Sequence, residues 1–216
     1  MRKQGIDLRL LLSLLALVLA AGLVALLAVG GSSGAPSNKA AAQKENLDAS
    51  GLLSPVRPAP PLALHNYLGQ PVNIDSYRGK AVLVTFLYTH CPDICPLITS
   101  QLRVAQNLMG PSVAARAQII AVSVDPRGDT RAAVEAFLAR HEMTGRMLYL
   151  TGTARELGPV WRAWGVGSER DVAQPQFVNH TGLVYGITGS GERLAIYAPQ
   201  FQPAEIAHDV PILAAR

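Results

Sequence analysis

After Pro61 the apolar positions recur with two different periods, which divide the chain into short buried strands and one-sided helices. Ala81 to Tyr88 (AVLVTFLY) is almost continuously apolar and rich in β-formers, predicting a central strand buried on both faces. Gln118 to Val124 (QIIAVSV) predicts a second such strand, closed by Asp125-Pro126. Between them Ile98, Leu102, Ala105 and Met109 recur at steps of four, three and four. That spacing predicts a helix from Pro96 onward, ended by Gly110-Pro111. Asp129-Thr130 offers an N-cap for a helix carrying Val134, Phe137, Leu138 and His141 on one side. Met147 to Leu150 reads as a short strand. Leu157, Val160, Trp161 and Trp164 mark another helix ending at Gly165, its start weakened or delayed by Gly158-Pro159. Pro203 to Leu213 predicts a closing helix with Ile206, Val210 and Leu213 facing inward. Two hairpins complete the set: Leu62 to Ile74, turning near Leu68-Gly69-Gln70, and Gly182 to Tyr197, turning at Gly189-Ser190-Gly191. Strands alternating with helices before a terminal hairpin argue for an α/β sandwich around a mixed sheet.

Before Pro61 the pattern is different. Leu10 to Val29 reads LLLSLLALVLAAGLVALLAV, with Ser13 its only polar side chain. Such a run is long enough to cross a bilayer as a helix, and longer than the ~7–15 residues of a signal-peptide core. Arg2, Lys3 and Arg9 precede it, so the positive-inside rule puts the N-terminus in the cytoplasm and the rest outside. No room for an organelle presequence lies before Leu10, which favours a bacterial cytoplasmic membrane. Gly30 to Pro60, rich in Gly, Ser, Ala and Pro, reads as a tether. The resulting map is a cytoplasmic N-terminus over 1–9, a transmembrane anchor over 10–29, a linker over 30–60 and one domain over 61–216.

Composition narrows the function without naming it. Of 216 residues, 49% are hydrophobic and only 16% charged, which excludes a disordered polyelectrolyte. The net charge of +4 is small and forms no basic stripe, so nothing argues for nucleic acid. The chemistry concentrates in FLYTHCPDICPLI, Phe86 to Ile98, which holds both cysteines of the chain, Cys91 and Cys95. An extracytoplasmic thiol pair is a staple, a disulfide-exchange centre or part of a metal site. As a staple it would close about five residues and add only ~2 kcal/mol, far less than a long-range cross-link.

Both thiols lie where a buried strand ends and a helix begins. Backbone N–H groups and the helix dipole there favour negative charge and lower the pKa of Cys91 in particular, which suits a nucleophile and a ligand equally. Helical neighbours have Cβ atoms ~5–6 Å apart, whereas a disulfide needs ~3.8 Å, so a chelate is the less strained use of this gap. Two thiolates do not close a metal site, and five histidines are available as a third ligand. His65 and His208 read as surface or packing residues, His141 as the end of its helical stripe, and His90 as solvent-facing beside Cys91. His180, directly before a predicted strand, is a candidate that spacing alone leaves undecided.

FLYTHCPDICP, SVDPRGDT (Ser123 to Thr130), LTGT (Leu150 to Thr153) and VNHTGLVYGI (Val178 to Ile187) follow one another in an order that resembles the SCO/SenC family of copper-binding assembly proteins. The upstream GQPVNIDSYRGKAVLVTF is similar to that family's entry into its thioredoxin-like fold. The resemblance implies a copper site of Cys91, Cys95 and His180, binding Cu(I) and able to accommodate Cu(II). It implies a chaperone delivering copper to the binuclear copper centre in a membrane subunit of cytochrome c oxidase. Other copper chaperones or thioredoxin-like reductases would be further partners. The alternative it permits is a thiol–disulfide oxidoreductase acting on oxidase cysteines, with Cys91 attacking and Cys95 in support. A peroxide-reducing enzyme and a Cys₂His zinc hydrolase are weaker readings, since the cysteines sit too close for the one and no general base is placed for the other. One departure is Asn179, where the family usually has aspartate before the histidine. A carboxylate there would orient the imidazole or help docking. Asp125 and Asp93 read first as turn and loop residues.

Overall fold

Ala81–Leu87, every residue of it buried, is a strand at the middle of the sheet. In this computed structural model residues 46–170, 172 and 178–216 are described. Eight strands form one sheet: β1 (Gly51–Pro58), β2 (Ala63–Asn66), β3 (Pro71–Asn73), β4 (Ala81–Leu87), β5 (Ala117–Ser123), β6 (Met147–Thr151), β9 (Val184–Ile187) and β10 (Glu192–Tyr197). Their order is β1-β10-β9-β4-β5-β6-β2-β3. β4, β5 and β6 run parallel, and all other neighbours pair antiparallel. β7 (Ser168–Arg170) and β8 (Val178–His180) form a separate two-stranded ribbon. The sheet is therefore mixed, as the alternation of strands and helices predicts.

Among the described residues four α-helices accompany it: α1 (Ile94–Ala114), α2 (Arg131–Arg140), α3 (Ala154–Trp164) and α4 (Pro203–Ala214). They cover both faces. Gly186 of β9 lies opposite Leu83, and a Cβ there would stand 3.0 Å from Leu213 of α4. Its neighbour Tyr185 points the other way and meets the ring of Trp164 from α3 at 5.5 Å. α1 packs against α4, burying Ile98, Leu102, Ala105 and Met109 as their spacing predicts. Gly110 breaks α1 with φ 68° and ψ 169°, and Pro111 opens a short final turn.

Several expectations change. α1 starts at Ile94 rather than Pro96, because the Asp93 carboxylate accepts the Ile94 N–H as an N-cap. α3 starts at Ala154, ahead of Gly158-Pro159, because Thr153 and Glu156 form a reciprocal capping box. Gly165, left-handed at φ 69°, ends it as expected. β1 lies inside the stretch read as a linker up to Pro60. Its side chains are mostly exposed, so it joins the sheet through pairing with β10 and leaves no alternation of burial to read.

The membrane expectation is also corrected. Among the described residues no helix is long and apolar enough to cross a membrane. α1 has the length, with 21 residues, but Gln101, Arg103, Gln106 and Asn107 break its apolar run. Leu10 to Val29 lies outside the described residues, so a single-pass location in a bacterial cytoplasmic membrane has no spanning helix behind it.

Candidate metal centre

β4 ends at Leu87, and Tyr88 to Asp93 carries the chain to the first turn of α1. Cys91 sits in this loop and Cys95 in the helix, both as free thiols. The Cys95 backbone N–H points at Cys91 Sγ (3.3 Å), which is the orphan donor of a helix N-terminus turned on a sulfur. Asp93 Oδ1 lies 3.7 Å from the same sulfur.

His180 arrives from 85 residues downstream, at the end of β8, with Nε2 3.6 Å from Cys95 Sγ. A close approach brings it there: a Cβ at Gly182 would stand 3.4 Å from Cγ1 of Ile94, so the chain after His180 rides over the start of α1. The ring also stands edge-on to Tyr88 at 5.6 Å. His180 Nδ1 lies 3.3 Å from the Thr181 carbonyl oxygen. That oxygen only accepts, so Nδ1 carries the proton and Nε2 keeps a lone pair facing the cysteines. Cys91, Cys95 and His180 thus bring three donor atoms within 4.8 Å of one another. Two soft sulfurs and an imidazole in that compass suit copper or zinc and not a hard cation.

The electrostatics divide the sulfurs. Hydrogen bonding from the Cys95 side chain, supported by backbone bonds at Asp93 and Cys95, outweighs burial and lowers the Cys91 pKa to about 4. Burial, followed by the bond and charge of Cys91, pushes the Cys95 thiol well up. The pair holds one negative charge, on Cys91. Burial raises Tyr88 beside them to about 12, keeping its phenol neutral.

The remaining candidates separate cleanly. His90 is exposed, with Nδ1 3.1 Å from Thr89 Oγ1. His65 is exposed on β2, and His141 leans on Phe137 at 4.6 Å. His208 is half-exposed on α4, beside Asp48 and Asp209. Asp125 is buried in the turn after β5, where its carboxylate accepts the Arg127 N–H at 3.2 Å. Asn179 is exposed and paired in register with Glu169, on the opposite side of the ribbon from the His180 ring. The imidazole is oriented by the Thr181 carbonyl, so a carboxylate at 179 is not needed for that task.

Asp129 is the residue that sequence reasoning misplaced. Thr130 alone caps α2, while the Asp129 carboxylate turns inward, only 5% exposed. Oδ1 accepts the Thr89 N–H and the Thr89 hydroxyl, both at 2.8 Å. Oδ2 accepts the hydroxyls of Ser123 at 2.6 Å and Tyr149 at 2.9 Å. One carboxylate therefore joins the ends of β4 and β5 to the middle of β6, two residues before Cys91. Burial raises its pKa against the pull of these hydrogen bonds. The sequence signal was the second acid of SVDPRGDT, which looks like an N-cap until the loop closes.

Comparison with known proteins follows the same segments. The SCO1/SenC family pattern matches residues 55–215. The Mus musculus protein SCO1 homolog, mitochondrial, is 30% identical over 154 residues, covering 69% of this chain and 54% of its own. The chain thus spans about half the length of that relative. The structure of Bradyrhizobium japonicum ScoI with copper bound aligns with a TM-score of 0.64 at 27% identity, covering 73% of this chain and 99% of that one. BsSco, described as a member of the Sco family of cytochrome c oxidase assembly proteins with a disulfide switch, shares the fold. Its TM-score is 0.60 at 22% identity, over 76% of this chain and 98% of its own.

Proposed function

Since the chain belongs to the SCO1/SenC family, we propose that it binds copper through Cys91, Cys95 and His180 and passes it to the binuclear copper site of a cytochrome c oxidase. The observation that carries this reading is the convergence of the three donors from two segments far apart in sequence, within 4.8 Å. ScoI from Bradyrhizobium japonicum, at 27% identity, has been solved with copper bound.

The chemistry follows from the charge division. Cys91 is a thiolate ready to bind, whereas Cys95 gives up its proton only when a cation displaces it. Loading one copper on both sulfurs therefore releases about one proton near neutral pH. His180 Nε2 completes the set with its lone pair, its tautomer fixed by Thr181. Cys91 is the more reachable sulfur, 7% exposed against 0% for Cys95, and is the donor an acceptor would replace first.

A second reading rests on the same asymmetry. A low-pKa Cys91 beside a buried, protonated Cys95 is the arrangement of a disulfide reductase. Cys91 thiolate would attack a partner disulfide and expel one partner thiolate. Cys95, its proton passed to that expelled thiolate, would then attack Cys91 Sγ, close the intramolecular disulfide and expel the second partner thiolate.

The test is copper stoichiometry and affinity of the reduced full chain, for the parent, Cys91→Ser, Cys95→Ser and His180→Ala, beside disulfide-reductase turnover. One tightly held copper, weakened at least tenfold in each variant, is expected. Micromolar or weaker binding that His180→Ala leaves unchanged overturns the copper reading, and strong turnover under those conditions puts the reductase in its place.

A further inference from the structure

Next to Cys91 the surface opens into a cleft of about 300 Å³. Thr89, His90 and Cys91 form one wall, and one face of α2 forms the other. That face presents Ala133, Ala136, Phe137 and Arg140, at helical steps of three, four and seven. The two alanines leave the space, and Phe137, itself buried, supplies an apolar floor. Cys95 and His180 do not line it, so the cleft reaches the candidate centre at Cys91.

Apart from the Cys91 thiolate itself, the charged side chain lining the cleft is Arg140. Arg140 is exposed, and no carboxylate among the described residues pairs with it. The other arginine of α2, Arg131, is held by Glu135 at 2.9 Å, and Arg103 by Glu142 at 3.4 Å. Arg140 also depresses the pKa of His141, after burial, which marks the local potential as positive. His90 stands at the opposite wall, and neither aspartate nor glutamate lines the cleft.

We propose that this cleft seats an extended segment of the copper acceptor in which a cysteine is flanked by acidic residues, the cysteine meeting Cys91 and a carboxylate meeting Arg140. The proposal rests on the copper-delivery reading. Ligand exchange at Cys91 requires the acceptor to bring a donor of its own, and this cleft gives an approach to Cys91 beside Arg140 over an apolar floor. An acidic segment gains attraction there, and a basic one is repelled.

The experiment uses two synthetic pentapeptides, each with one cysteine flanked by either two aspartates or two lysines and activated as a mixed disulfide with thionitrobenzoate. The full chain carries Cys95→Ser so that the adduct is trapped. Cys91 thiolate attacks the peptide sulfur, a Cys91–peptide disulfide forms, and thionitrobenzoate leaves and is read by absorbance. The acidic peptide should react about tenfold faster than the basic one at low salt, with the ratio falling as salt rises. In the same background Arg140→Glu should invert the preference. Arg155→Glu, an equal charge change on α3 outside the cleft, should leave it in place. Thermal melts check that each variant is folded. Equal rates for both peptides, or a ratio moved as much by Arg155→Glu as by Arg140→Glu, overturns the docking proposal. Copper affinity of Arg140→Glu with both cysteines present should match the parent. Loss of copper binding in the parent itself overturns the delivery reading instead, so the two failures are distinct.

Discussion

Removing the Asp129 carboxylate tests how the cysteine loop is held. In Asp129→Ala four hydrogen bonds lose their acceptor at once. One donor has a fallback, the Thr89 hydroxyl 3.1 Å from His90 Nδ1, and the Ser123 hydroxyl, whose oxygen still accepts the Asp125 N–H, is left out of the sum. The Thr89 N–H and the fully buried Tyr149 hydroxyl have none. An orphaned buried donor costs ~1–3 kcal/mol, so the pair costs ~2–6 kcal/mol. Release of a desolvated carboxylate offsets part of this, because burial had already raised its pKa. A net loss of ~2–4 kcal/mol remains, measurable by urea denaturation against a typical total of ~5–15 kcal/mol. Single-arm variants separate holding the loop from general stability. Thr89→Val cuts the arm to the cysteine loop, and Tyr149→Phe cuts the arm to β6. Both should destabilise, but only Thr89→Val and Asp129→Ala should weaken copper binding, by about tenfold, or ~1.4 kcal/mol. Asp129→Ala within ~0.5 kcal/mol of the parent, or Tyr149→Phe weakening copper as much as Thr89→Val, would refute the reasoning.

Other consequences follow from the same geometry. With its pKa at about 4, Cys91 should be alkylated by iodoacetamide at a rate flat from pH 5 to pH 8, whereas an ordinary thiol gains about tenfold per pH unit. A rate climbing across that range means the thiolate is not stabilised. The sign for stability is fixed: a depressed thiol pKa contributes stability present above the unfolded value and lost as pH falls through about 4. His208 behaves oppositely, because the hydrogen bond to Asp209, and then the charge of Asp48, raise its pKa. Its contribution is fully present below the unfolded value near ~6.5 and lost as pH rises through the folded one, so His208→Gln should flatten that part of a melting-temperature profile. Asn179→Asp should leave copper affinity within about threefold, since position 179 faces away from the imidazole and Thr181 sets the tautomer. Gly186→Val should cost ~1–3 kcal/mol in chemical denaturation, because Ala195 and Leu213 already stand 3.0 Å from where its Cβ would be.

The amino-acid order by itself determined the elements that bury a face. β4, β5 and the stripes of α1, α2, α3 and α4 were legible because burial on one or both sides imposes a period on the side chains. The cysteine loop was legible too, since a strand end meeting a helix start is a local event, and so was a lowered pKa at Cys91. Elements joined mainly through the backbone were not legible: β1 pairs with β10 while leaving most of its side chains exposed, and backbone pairing has no residue code. Distance along the chain hid the rest. Asp129 has the sequence of a helix cap, and only closure of β4 beside β5 and β6 turns it into a buried clamp on Thr89. Spacing left His180 one histidine among five, and the family resemblance singled it out. The close pass of the chain after β8, at Gly182, over the start of α1 brings its lone pair to the sulfurs, because no local rule relates side chains 85 residues apart until packing does.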